Sequence, residues 1–191
     1  MTGGEGEDRM NDFAGEQEEL LAEPVTDRDH ILGPPDAPIT LLEYGDYECP
    51  DCLNAVPIVR EVRRALGDRM RFVFRHFPRS SIHPHASMAA EAAEAAAEQG
   101  KFWEMHEALF KHQKELADLT HIALTIGVEI YSFESGRSAD HHRRRVYMDY
   151  ESGVLSGVRG TPTFFINDSK YTGAIEPKAI IAACQGAVSG K

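Results

Sequence analysis

The chain has 191 residues, 42% of them hydrophobic, and a net charge of -11, enough chain to bury one good-sized core. The acid is concentrated at one end: residues 1–24 hold eight acids against the single base Arg9, a net -7, which leaves only -4 for the rest. This balance argues against a nucleic-acid partner and against docking on an anionic membrane, and no run approaches the ~20 apolar residues of a membrane span.

Residues 1–24, Gly- and Glu-rich and poor in large apolar groups, are expected to form a disordered acidic tail, with residues 25–191 making one domain. The N-terminus lacks the basic start and apolar run of a secretory signal, so a cytoplasmic location is expected. In a reducing compartment, three cysteines do not make a structural disulfide framework. Residues 25–38 contain Pro34, Pro35 and Pro38 and read as an irregular, extended lead-in.

Ile39–Tyr44 is β-branched and apolar, with Glu43 embedded in it, and predicts the first core strand. A polar turn leads to Cys49-Pro50-Asp51-Cys52, which opens a helix running to about Leu66 and stopped by Gly67. Pro50 suits the first helical position, whose N–H would be unpaired anyway, and Pro57 predicts a kink. Met70–Phe77 alternates Phe72 and Phe74 with Arg71 and Arg75 and predicts a second strand, parallel to the first through a right-handed crossover.

Residues 84–157 read as a helical insertion. Ala86–Gln99 is alanine-dominated, with Glu91, Glu94 and Glu98 along one polar stripe. The next helix repeats Phe102, His106, Phe110 and Gln113, with Trp103 beside them, and its Phe102, Trp103 and Phe110 cluster reads as core. An apolar segment at Leu116–Ile126 and a short element at Tyr131–Ser135 follow, then a helix from about Asp140 to Leu155. That helix opens with His141-His142-Arg143-Arg144-Arg145, a basic run that suits a solvated helix face better than an anionic partner. Thr163–Ile166, the turn Asn167-Asp168 and Lys170–Gly173 predict a hairpin, and Glu176–Ala187 a closing helix.

Two cysteines two residues apart, delivered by a strand to a helix N-terminus, point to a dithiol/disulfide redox centre. Helical spacing puts both sulfurs within disulfide reach and leaves Cys49 the more exposed, while the helix dipole favours its thiolate. Cys49 is then the attacking thiol and Cys52 the one that resolves the mixed disulfide. No cofactor is called for, since another thiol protein or a small thiol restores the dithiol. The alternatives are a metal-binding module and a non-catalytic peptide-binding module with incidental cysteines. Two cysteines are too few for a closed tetrahedral site, Cys184 reads as a packed small hydrophobe, and nothing in the sequence ties His83 or His85 to this helix. Asp51 and Glu48 place negative charge beside Cys49, which oppose its thiolate and put the pair on the reductase or isomerase side. Whether Glu43 faces the core or solvent is not settled by the strand's alternation.

The element order, with CxxC after the first strand, resembles the α/β thioredoxin fold, and the all-helical insertion resembles its DsbA-like branch. The resemblance implies a thiol–disulfide oxidoreductase acting on protein thiols and disulfides. Glu43, six positions before Cys49, stands where thioredoxin-like proteins carry a buried acid, which would accept the Cys52 proton with a raised pKa. Val158–Asn167, VRGTPTFFIN, looks like the family's cis-proline segment, although Thr161-Pro162 by itself is compatible with an ordinary trans turn. The resemblance implies that the Thr161 backbone and Pro162, with Pro50 and Asp51, receive an extended substrate, Thr161 acting through its backbone alone. His76-Phe77-Pro78 and His83-Pro84-His85-Ala86 also match stretches common in bacterial DsbA-like proteins. One departure stands out: Asp51 occupies the position where periplasmic oxidants of this type typically have His, so strong oxidising power does not carry over.

Overall fold

The computed structural model describes residues 19–137 and 140–189. Along these residues the elements are β1 (His30–Leu32), β2 (Ile39–Gly45), α1 (Pro50–Leu66), β3 (Met70–His76), α2 (Ala86–Ala97), α3 (Phe102–Lys111), α4 (Leu119–Thr125), α5 (Ile130–Arg137), α6 (Asp140–Leu155), β4 (Thr163–Ile166), β5 (Ser169–Lys170) and α7 (Pro177–Ser189). The sheet order is β1-β3-β2-β4-β5, with β2 and β3 parallel and every other pair antiparallel. This is the thioredoxin-like α/β fold with a helical insertion between β3 and β4.

β2 is the centre of the sheet and is buried at every position, which explains why it reads as an apolar run rather than a strict alternation. Ile39 and Leu41 face a large core shared with α1, α3 and α7, where Val62, Phe72, Phe74, Leu109 and Ile180 meet. Leu42 and Tyr44 face the other way, into a smaller core with Val73, Phe77, Val158 and Phe165. α6 covers that second face: Tyr44 Oη lies 2.8 Å from Ser152 Oγ, and Phe77 approaches so closely that a Cβ on Gly153 would fall 2.6 Å from its ring. α1 continues through Pro57, which is exposed. At the β4–β5 turn Asn167 takes a φ of 55°, and its side chain accepts the Thr40 N–H at 2.9 Å, locking the hairpin to β2.

Four sequence expectations change here. The lead-in is not all irregular: His30–Leu32 ends before the prolines and pairs antiparallel with β3 as a short edge strand. The second hairpin strand is Ser169–Lys170 rather than Lys170–Gly173. Glu94 leaves the expected polar stripe of α2 and is buried, its Oε1 2.9 Å from His30 Nε2 and 2.8 Å from His76 Nε2. Burial opposes its ionisation, but those two histidines hold its carboxyl well below the usual range.

The tail boundary also shifts. Residues 1–18 lie outside the described residues, but 19–24 pack on the domain. Leu20 bridges Ser169, the Leu21 N–H donates to Asp168 O at 2.7 Å, and the Ala22 N–H donates to Ser156 Oγ at 2.9 Å. Arg75, 3% exposed, explains the anchoring: it donates to both Asp29 carboxylate oxygens, to Glu23 O and Pro24 O at 3.0 Å each, and to Tyr44 Oη. A buried guanidinium needs those acceptors. Deleting residues 1–24 should therefore lower the melting temperature relative to deleting 1–18. Losing these bonds and orphaning Arg75 donors costs about 2–3 kcal/mol, or roughly 5–10 °C for a domain of this size. Equal melting temperatures for the two truncations would show that residues 19–24 contribute nothing.

Candidate active site

The turn after β2 is built by two acids. The buried Asp46 carboxylate accepts the N–H of Glu48 and of Arg79, each at 2.8 Å, and pairs with His83 Nδ1 at 2.8 Å. Glu48 accepts the His85 N–H at 2.6 Å and pairs with His85 Nδ1 at 2.9 Å. From the insertion, Gln113 Nε2 donates to Tyr47 O and Cys49 O at 2.9 Å each, and Tyr47 Oη meets His106 Nδ1 at 3.2 Å. His83 and His85 are thus tied to the CPDC helix after all, through carboxylates. Asp46 and Gln113 escaped the sequence reading; the one signal was that two acids and two histidines share the same spacing, 46/48 against 83/85.

Cys49 is the N-cap of α1, with extended backbone (φ -76°, ψ 121°), and Pro50 takes the first helical position. Its sulfur lies 3.3 Å from the Thr161 carbonyl oxygen. The Cys49 thiol is lowered to about 5, first by the hydrogen bond from the Cys52 thiol and then by the backbone N–H groups of Cys52 and Asp51 at the helix N-terminus, against the cost of burial. The Thr161 hydroxyl is buried, with no hydrogen-bond partner among the described residues.

Cys52 is wholly buried and receives the Asp46 N–H at 3.4 Å. Burial, its hydrogen bond to Cys49 and the charge of Glu43 push its thiol far up, so the pair splits into one ready thiolate and one reluctant thiol. Glu43 shares the face of Ile39 and Leu41, which settles its direction: it is 4% exposed and reaches Cys52. Its carboxyl is raised to about 8 by burial and by the Cys49 charge, partly offset by the hydrogen bond from Cys52. Glu43 Oε1 is buried without a partner among the described residues.

The Thr161–Pro162 peptide is cis, with Pro162 half-buried, while Pro50 and Asp51 are exposed at the mouth. A groove of about 650 Å³ runs between Phe77, Arg79, Tyr147, Tyr150, Val154 and Arg159, and none of Cys49, Pro50, Asp51, Thr161 and Pro162 lines it. Cys184 stays out of this chemistry, packed in α7 with its thiol raised to about 11 by burial. The basic run at the start of α6 is not uniformly solvated, since His142 is 2% exposed.

The thioredoxin family profile matches residues 25–185. The chain belongs to the thioredoxin family. Among solved structures it is similar to oxidised BdbD from Bacillus subtilis, 22% identical with a TM-score of 0.78, covering 91% of this chain and 100% of that one. It is also similar to alpha-DsbA1 from Wolbachia pipientis, 20% identical with a TM-score of 0.77, covering 87% of this chain and 94% of that one. At these identities the likeness shows the fold. By sequence it is 44% identical over 173 residues to a Salinispora tropica protein named Na(+)/H(+) antiporter NhaA 3, a match covering 88% of this chain and 26% of that protein. The chain thus spans about a quarter of the length of the curated relatives it matches, and no helix among its described residues is long and apolar enough to cross a membrane.

Glu43 gives this thioredoxin-like domain a testable pH dependence. With a carboxyl at about 8 in the folded state and 4.5 as the ordinary value, the folded protein binds the extra proton between those pH values. Stability therefore falls as pH rises through that window and levels off above it. Glu43→Gln removes the slope, so its gain over the wild type should grow from about pH 4.5 to 8 and reach several kcal/mol in denaturant unfolding. A constant offset across that range would mean that Glu43 is ionised in the folded protein throughout.

Proposed function

We propose that the protein is a DsbA-like thiol–disulfide oxidoreductase exchanging electrons between the Cys49/Cys52 pair and protein disulfides or dithiols. The observation that carries this is the split pair: a Cys49 thiol lowered to about 5 at a helix N-terminus, over a buried Cys52 in reach of Glu43. In the reducing direction the Cys49 thiolate attacks one sulfur of a substrate disulfide and expels the other as a thiolate. Glu43 takes the Cys52 proton, and the Cys52 sulfur attacks Cys49, releasing the second substrate thiol. The substrate gains two electrons and the pair closes as a disulfide, which another thiol protein or a small thiol reopens. Thr161 and Pro162, with the exposed Pro50 and Asp51, receive the substrate as an extended segment.

Glu48, whose charge the sequence sets against the thiolate, is half-buried and hydrogen-bonded to His85, while Asp51 is exposed. A stabilised thiolate lowers the free energy of the reduced form and raises the reduction potential. We place the protein in the cytoplasm, where the glutathione poise of roughly -220 to -320 mV keeps such a pair as a dithiol. It then works on the reductase or isomerase side, against strained or exposed disulfides whose own potentials are high. Structural disulfides below about -300 mV would resist it.

Three measurements test this. Ultraviolet thiolate absorbance should titrate Cys49 with a midpoint near 5; a midpoint near the free-thiol value of about 8.5 would sink the reading. Equilibration with glutathione should give a potential above thioredoxin's, about -270 mV, and Asp51→His should raise it further by several tens of millivolts. Cys52→Ala should trap substrate on Cys49, whereas a Cys49→Ser protein that keeps its full effect on a disulfide substrate would leave peptide binding as the function.

A further inference from the structure

The basic run that opens α6 holds a group the redox chemistry does not use. Glu98 is the C-cap of α2, and His141 and His142 lie in the first turn of α6. His141 Nε2 stands 2.7 Å from Glu98 Oε1 and His142 Nε2 3.5 Å from the same oxygen, with the two imidazole rings 4.0 Å apart. One donor atom from each residue falls within 4.8 Å of the other two. Both histidines stand within ion-pair reach of the Glu98 carboxylate, but only His141 makes a hydrogen bond to it. The His142 side chain is 3% exposed, and its Nε2 is buried without a hydrogen-bond partner among the described residues. Such an orphan is costly unless something else occupies the position.

We propose that Glu98, His141 and His142 form a binding site for a first-row divalent metal ion of the zinc class, with remaining coordination positions open to water. Two imidazole nitrogens and one carboxylate oxygen are a donor set that suits zinc. Glu98 and His141 are 52% and 64% exposed, which gives an ion a way in. Gly136, in α5, lies against the same donors: a Cβ there would stand in ordinary contact, 3.5 Å from Glu98 Oε2 and 3.6 Å from His142 Nε2. The C-terminal end of α2 adds negative potential at the same point. A bound ion would join the end of α2 to the start of α6 and so tie the helical insertion together.

The other His/Glu cluster, His30, His76 and Glu94, does not make the same case. Both ring nitrogens there are engaged on Glu94, and His76 Nδ1 is buried with no partner among the described residues. A metal on Nε2 would place a proton on that Nδ1 with nothing to accept it.

The test uses the full chain with Cys49 and Cys52 oxidised to a disulfide, so that no active-site thiolate competes. Zinc is titrated calorimetrically and cobalt by visible absorption. One ion per chain is expected, with a cobalt spectrum of nitrogen and oxygen ligands and no thiolate charge-transfer band. Glu98→Gln and His141→Ala change exposed side chains, and circular dichroism checks that each stays folded. Each should weaken binding by more than the ~10–100-fold typical of losing an outer-shell partner, while Glu94→Gln leaves it intact. Absence of stoichiometric binding, unchanged affinity in both exposed-site variants, or loss confined to Glu94→Gln would overturn the assignment.

Discussion

The 3.3 Å approach of the Cys49 sulfur to the Thr161 carbonyl joins two points 112 residues apart, and the rest of the fold exists to hold them there. β2 does most of this. It carries the CPDC turn at its end, pairs in parallel with β3 on one edge and antiparallel with β4 on the other. The Tyr44–Thr163 register sets the cis-proline segment beside the helix N-terminus within one strand spacing. Burial of β2 on both faces fixes that register, because a slip of one residue would exchange Glu43 with Leu42 or Tyr44 between two apolar cores.

Around this contact the domain buries several acids and treats each differently. Asp46 is satisfied by backbone N–H groups and His83, and Asp29 by a bidentate Arg75. Glu94 sits between His30 and His76. Glu43 alone is left with an unpartnered oxygen and a carboxyl raised to about 8, among the described residues. An unsatisfied carboxyl beside a thiol is a poor structural element and a good proton acceptor. The three satisfied acids hold segments together, whereas the unsatisfied one is placed where a proton has to move.

The helical insertion does more than enlarge the domain. Gln113 reaches the carbonyls of Tyr47 and Cys49, and Ser152 and Gly153 shape the second core face around Tyr44 and Phe77. Its geometry is therefore felt at the dithiol. Anything that stiffens the meeting of α2 and α6, a bound ion included, would act on a scaffold that positions Cys49 from behind.

The sequence by itself determined the element order, the strand-to-CxxC-to-helix unit and the roles open to Cys49 and Cys52, because hydrophobic period, proline placement and cysteine spacing are local properties. It also narrowed Glu43 to a single question, the face it takes. Only the tertiary structure answered that, since β2 is apolar on both sides and its alternation carries no direction. The same holds for β1, for residues 19–24 and for Glu94. Edge pairing with β3, the carbonyls that fill Arg75 and the histidines that flank Glu94 come from partners tens of residues away. Composition placed 19–24 with the acidic tail and Glu94 on a solvated stripe, because a charged side chain's burial depends on what is brought to meet it. The pKa split between Cys49 and Cys52 follows the same logic. Spacing put two sulfurs on one helical turn, but the complete burial of Cys52 and the Glu43 carboxyl beside it, both set by the fold, raise that thiol and leave the charge to Cys49.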